Sequence, residues 1–347
     1  MPSSYHAGRR AAVLIDMSAR GRIAVGGDDR ASYLQGLLTN DIEALSSGDG
    51  CYAAYLTPQG RMVADMQVLN LGTELLLDVH PTVTGMLLDR LRELVFTEDV
   101  SVEDRSPRWT ALGVHGPQSA SLISEVVRPV STDDAVRVDA GALSTDPEYR
   151  TRCGSFEGVP VVTARSDETG ELGFILYAEA AVRAALGDAL AKAGAVVLDQ
   201  ATFDLLRVEA GRPAFPGDMD QETIPLEAGI EARAISMTKG CYVGQEVIVR
   251  ILHRGRGRVG RRLVGLSFET GGEPPAAGAV LTTCEDGQPI GNITSSAWSP
   301  ALGRAIALGY VTRELAEPGT GLVARDDARQ VTGIVTSRPF LPLRAAG

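Results

Sequence analysis

Thr238-Lys239-Gly240-Cys241-Tyr242-Val243-Gly244-Gln245-Glu246 is the most informative stretch of the 347-residue chain, and it places one of only four cysteines beside a lysine and between two glycines. Downstream, Val247, Ile248, Ile251 and Leu252 recur at i, i+1, i+4 and i+5, one apolar face of a 3.6-residue period, while Arg250, His253 and Arg254 fall opposite. The spacing predicts a helix, closed by Gly255 in a left-handed conformation. Cys241 then lies just ahead of a helix N-terminus, where unpaired N–H groups and the Lys239 ammonium both favour thiolate over thiol. Two alternatives stay open: a lone cysteine is also a small buried hydrophobe, and the β-branched Val247, Ile248, Val249 and Ile251 also suit a strand.

Lys-Gly-Cys-Tyr-x-Gly-Gln-Glu, followed by an arginine and a closing Arg-Gly, resembles the motif of the YgfZ family. Those are folate-binding proteins implicated in iron–sulfur cluster assembly or repair, and structural relatives of the aminomethyltransferase (T-protein) of glycine cleavage. The resemblance implies an α+β, GcvT/YgfZ-like multidomain fold, with antiparallel sheets around a central folate cavity and a small C-terminal β-barrel. It implies tetrahydrofolate or a derivative as cofactor, iron–sulfur client or assembly proteins as partners, and a reactive Cys241. Lys239, Gly240, Tyr242, Gly244, Gln245, Glu246 and Arg250 would then line the cofactor.

Composition bounds the alternatives. A chain of this length can bury a substantial core in two or three domains. Its net charge of −11 repels nucleic acid and anionic membrane as a whole. Val247 to Phe268 is the exception, with six arginines and no acid, which suggests a small or local anionic partner. Gly255-Arg256-Gly257-Arg258-Val259-Gly260 matches the dinucleotide pattern in letters only, because it closes the expected helix and precedes a strand instead of linking strand to helix. A nucleic-acid module built on these arginines would need interleaved aromatics, which are absent. The cysteines at 51, 153, 241 and 284 and the histidines at 6, 80, 115 and 253 are too scattered to propose a metal site. No apolar run approaches the ~20 residues of a membrane span and no signal peptide is read, so the expectation is a cytoplasmic protein.

Along the chain, Arg22 to Val25 reads as a strand, followed by a helix carrying Tyr33, Leu34, Leu37 and Leu38 with Asp28 or Asp29 as cap. Thr39-Asn40-Asp41 reads as a plain turn. Cys51–Leu56 and Arg61–Leu69 read as a hairpin about Pro58-Gln59-Gly60, with Met62, Ala64, Met66 and Val68 on one face and Asp65 on the other. Strand Glu74–Val79 leads into a helix opened by Pro81. The stretch 131–157 carries no period and reads as a surface excursion. Ala201 to Ala210 reads as a helix, and from Leu263 onward six short apolar runs divided by Gly and Pro predict a β-barrel or sandwich. The expected domains are 1–50 together with 110–255 for folate, 51–109 as an inserted α+β unit, and 260–347 as the barrel.

Two further sites follow from the likeness to T-proteins. Arg207-Val208-Glu209-Ala210-Gly211 resembles the station whose glutamate holds the pterin, and a carboxylate does accept two adjacent N–H donors in a fork; that role falls on Glu209. The strand carrying Asp65 corresponds to one that in T-proteins bears two adjacent acids, one implicated in catalysis. Here it reads Ala64-Asp65, one acid short. The first functional expectation is therefore a folate-dependent accessory factor for iron–sulfur proteins, with Cys241 at the cavity mouth and the arginines of 250–262 attracting the folate's glutamate tail. The alternative is a tetrahydrofolate-dependent aminomethyl- or methyltransferase using Asp65, against which the missing acid and the cysteine motif count.

Overall fold

The computed structural model describes residues 3–130, 138–255, 257–269, 272–284, 287–326 and 329–343. A hairpin of alternating strands begins the architecture. Met62, Ala64, Met66 and Val68 are all buried on one face of strand Met62–Asn70, which pairs antiparallel with Gly50–Leu56 to form the hairpin. Glu74–Val79, Gly21–Gly26 and Ser101–Asp104 extend it into a five-stranded antiparallel sheet. The helix Pro81–Glu93 covers its apolar face through Val83, Leu87 and Leu91, with Pro81 in the first turn where no N–H is missed.

The second sheet has seven strands in the order Val196–Val197, Val13–Asp16, Trp109–His115, Gly173–Glu179, Val159–Arg165, Thr151–Phe156, Arg128–Pro129. Only its first pair is parallel. One apolar cluster runs continuously through both sheets, from Val13 and Ile175 to Leu77 and Met66. The six apolar runs after residue 260 form a closed six-stranded barrel. Helix Gln200–Glu209 lies between that barrel and the sheets: Val208 packs with Leu263, Ile306 and Leu308 on one side, while Phe203 and Leu206 join the two-sheet core on the other. Among the described residues no helix is long and apolar enough to cross a membrane.

Four expectations change. Strand Gly21–Gly26 lies inside the five-stranded sheet, so the inserted unit expected to begin at 51 draws on residues from 21 onward. The stretch 131–157 holds the helix Ala140–Thr145 and the sheet strand Thr151–Phe156 instead of a surface excursion, while 131–137 lie outside the described residues. Arg152 in that strand is buried against Asp146, with two contacts of 2.7 and 2.8 Å, so a charged residue occupies a core-facing position. Asp29 stands at the cap of helix Arg30–Gln35, yet its carboxylate accepts from the Asp99 N–H at 2.8 Å and makes no cap bond. Gly255 ends its helix with φ −83°, so the left-handed residue is Gly257, φ +70°.

Candidate functional site

The polar face of the five-stranded sheet, opposite its apolar one, floors a cavity of about 550 Å³ between the two sheets and helix Gln200–Glu209. Strand register explains the floor. Tyr52 pairs with Gln67, Gln67 with Asp78, and Asp78 with Arg22, giving one cross-strand polar row. Asp65, two residues before Gln67, lies on the same face. Phe203, Met17 and Phe215 supply apolar walls, and Arg20, Glu168, Tyr149 and Arg233 complete the polar part.

Arg20 is tied to Asp78, whose other oxygen accepts from the Tyr177 hydroxyl at 2.6 Å. Asp65 accepts from the Tyr52 hydroxyl at 2.6 Å. Burial nevertheless holds Asp65 above the usual carboxylate range, with the Tyr52 bond and Arg20 opposing. Burial raises Glu168 in the same way, again against Arg20. Gln67 is buried; its amide donates to Glu168 at 3.1 Å, and its Oε1 has no hydrogen-bond partner among the described residues. A buried acceptor without a donor costs about 1–3 kcal/mol. The floor beside Arg20 thus groups three acceptors, Asp65, Glu168 and Gln67 Oε1, which suits the N–H edge of a ligand, while Arg207, Arg212 and Arg233 line the rest. Arg233, paired with Glu148 at 2.8 Å, stacks over the Tyr52 ring at 4.9 Å and fixes that wall.

Of the two residues expected to meet the folate, Asp65 lines this cavity and Glu209 does not. Its carboxylate is fully buried outside the cavity lining and is satisfied by the Tyr5 hydroxyl at 2.9 and 3.0 Å, the Ser299 hydroxyl at 2.5 Å and Arg9. It joins the N-terminal helix, Gln200–Glu209 and the barrel as a structural tie, and it is not among the residues lining the cavity. Its neighbour Arg207 does the same through Asp218 at 2.7 Å and Ser295 at 3.0 Å. Glu227 caps helix Pro225–Ala228 and pairs with Arg261 at 3.1 Å, so one arginine of the basic run is engaged within the chain.

The 238–246 loop also lies elsewhere than expected. None of Lys239, Gly240, Cys241, Tyr242, Gly244, Gln245, Glu246 or Arg250 lines the cavity. Lys239 donates to three backbone carbonyls, those of Gln35 and Leu38 at 2.6 Å and of Asn40 at 2.9 Å, and lies over the Tyr242 ring at 5.1 Å. Burial pushes its pKa down to about 8. Tyr242 is buried in the core. Gly244 has φ +83°, and a Cβ there would meet the Thr57 carbonyl oxygen at 2.5 Å, so only glycine lets the loop close on the hairpin turn. Thr39 and Asn40, read as a plain turn, hold the same segment: they donate to the carbonyls of Ala234 at 2.6 Å and Arg233 at 2.9 Å. Gly240, Cys241, Glu246 and Arg250 face solvent. The expected helix is present, but its α-helical part spans only Gln245–Val249 before it widens into a π-turn to Arg254, so its dipole is short. Among the described residues no group of three or more His, Cys, Asp or Glu could hold a metal ion.

Two antiparallel sheets enclosing a cavity, joined through one helix to a closed barrel, define a class that the chain's relatives share. Residues 2–239 match the GCVT N-terminal domain and 261–341 the glycine cleavage T-protein C-terminal barrel domain, and the chain belongs to this family. At 32% identity over 340 residues it is similar to the aminomethyltransferase of Rubrobacter xylanophilus, covering 97% of this chain and 85% of that one. At 29% over 330 residues it is similar to a chloroplastic Arabidopsis thaliana protein named "putative transferase", covering 95% and 71%. The crystal structure of glycine cleavage system aminomethyltransferase T from Bartonella henselae superimposes with a TM-score of 0.84 over 99% of this chain and 90% of that one; at 23% identity the likeness speaks for the fold alone.

Proposed function

We propose that the chain binds tetrahydrofolate or a derivative between its two sheets and acts as an aminomethyltransferase-like transferase, moving a one-carbon unit from an amine donor to the folate. The observation that carries this reading is the local group of acceptors on the cavity floor: Asp65, Glu168 and the unpartnered Gln67 Oε1 beside Arg20, while the other lining arginines, Arg207, Arg212 and Arg233, are each paired with an acid. A reduced pterin, with an amino group and ring N–H donors, matches that lining, and a volume near 550 Å³ is in the range of small-molecule sites. When bound, the folate would supply the ring nitrogen that receives the carbon. Asp65 would accept an N–H or take a proton from the donor amine, its raised pKa bringing it closer to the operating pH. Gln67 would fix the ring edge and Phe203 and Met17 its faces. Kinship with proteins named aminomethyltransferase supports the reaction class. Formaldehyde or methylene release from a methylamine donor, measured with and without tetrahydrofolate, tests it; release that does not depend on folate contradicts it.

The accessory reading for iron–sulfur proteins keeps one specific observation in its favour. Cys241 is exposed on a loop outside the cavity lining, where a thiol meets a protein client rather than a bound folate. Deleting the gene, assaying several iron–sulfur enzymes and complementing with Cys241→Ala separates the two; full rescue by the variant counts against a client-directed thiol.

A further inference from the structure

We propose that His80 is a ligand-contacting hydrogen-bond donor paired with Asp65, presenting Nε2–H to the cavity because the helix it caps holds Nδ1 as an acceptor; this rests on the folate reading above. His80 is the N-cap of helix Pro81–Glu93, and its Nδ1 accepts the Thr82 backbone N–H at 3.3 Å, with the Thr82 hydroxyl at 2.8 Å from the same nitrogen. A ring nitrogen that accepts carries no proton, so the neutral imidazole has its hydrogen on Nε2.

Register places this donor. Met66 pairs with Val79 in the antiparallel ladder. That pair is the last of the ladder, and the next residue on each side is Asp65 and His80, which lie close enough for each to act electrostatically on the other. Both line the cavity. The charged groups that act on the imidazole are Arg20, from the turn beneath it, and Asp65; burial and Arg20 both disfavour the imidazolium, and Asp65 opposes them. An acceptor beside a donor is the complement of a ring amide, which displays N–H and C=O side by side, as the pterin does: Asp65 takes the N–H and His80 bonds the oxygen.

The two roles of His80 separate cleanly by mutation. Asparagine is among the best N-cap residues, so His80→Asn keeps the helix capped while a side chain that short, engaged with Thr82, no longer reaches the ligand. The first measurement needs no folate: long-range 1H–15N spectra of the histidine-labelled full chain at neutral pH. They are expected to show His80 neutral with a protonated Nε2; an Nδ1–H tautomer or an imidazolium overturns the assignment. The second is calorimetric titration of tetrahydrofolate into wild type and His80→Asn. The expected result is affinity about five- to tenfold weaker in the variant, the size of one hydrogen bond, at an unchanged melting midpoint. Equal affinity overturns the assignment. A wild-type chain that takes up no tetrahydrofolate overturns the folate reading and, with it, the partner assigned to His80.

Discussion

The 238–246 loop carries the most specific string in the chain yet faces solvent, while the cavity is lined by residues that no string singles out. Structure accounts for much of the string. Lys239 is held by three carbonyls, Tyr242 fills core, and Gly244 takes a left-handed conformation against the Thr57 carbonyl. Cys241 is exposed. A specific motif can therefore be mostly the scaffold of one residue, and its specificity does not say which cavity that residue serves.

The comparison breaks first at Glu209. If this carboxylate is a tie and not a ligand contact, Glu209→Ala leaves Arg9 with one fewer buried partner and destabilises the fold by about 3–5 kcal/mol, measured by urea denaturation. A variant that keeps its stability and loses only folate affinity would return Glu209 to the pterin. Asp65→Asn is expected to weaken tetrahydrofolate binding by about 1.5–3 kcal/mol, the worth of a hydrogen bond to a charged group. Its stability should move the other way. Asp65 has a folded pKa above its ordinary 3.8, so the native state holds this proton more tightly than the unfolded chain. The resulting stabilisation is fully present below pH 3.8 and lost as pH rises through the folded value. Asp65→Asn removes that term, so between the two values its stability falls less with pH than that of wild type, read from denaturation midpoints across the acid range. Lys239→Met sharpens the other side: it strands buried carbonyls at a cost of about 2 kcal/mol in thermal or chemical unfolding, with folate affinity intact.

Much of this architecture was legible before the structure. The 51–69 hairpin, the Pro81 helix and the six barrel strands were readable because their apolar residues keep a period of two or 3.6. Strand Thr151–Phe156 was not, because its buried positions are Thr151, Arg152, Gly154 and Phe156, and only the last looks like core. The site was half legible. Asp65 could be read because it opposes four apolar residues in its own strand, and Gln67, two residues on, shares its face, but His80 joins them from the neighbouring strand's end and Glu168 through a loop, neither of which a linear pattern displays. One signal for His80 was available: Pro81 at the first helical position marks the residue before it as the cap. The folded position of Cys241 was not legible, since a motif's neighbours in sequence do not give its neighbours in space.

The smallest expected effect supplies the sharpest test. Cys241→Ser, at an exposed site, should change stability by less than about 0.5 kcal/mol. Tetrahydrofolate titrated calorimetrically into Cys241→Ser and Asp65→Asn side by side addresses where the folate sits. A folate held between the two sheets gives wild-type affinity for Cys241→Ser and at least about tenfold weaker binding for Asp65→Asn; loss of binding in the serine variant with retention in the asparagine variant would contradict that placement.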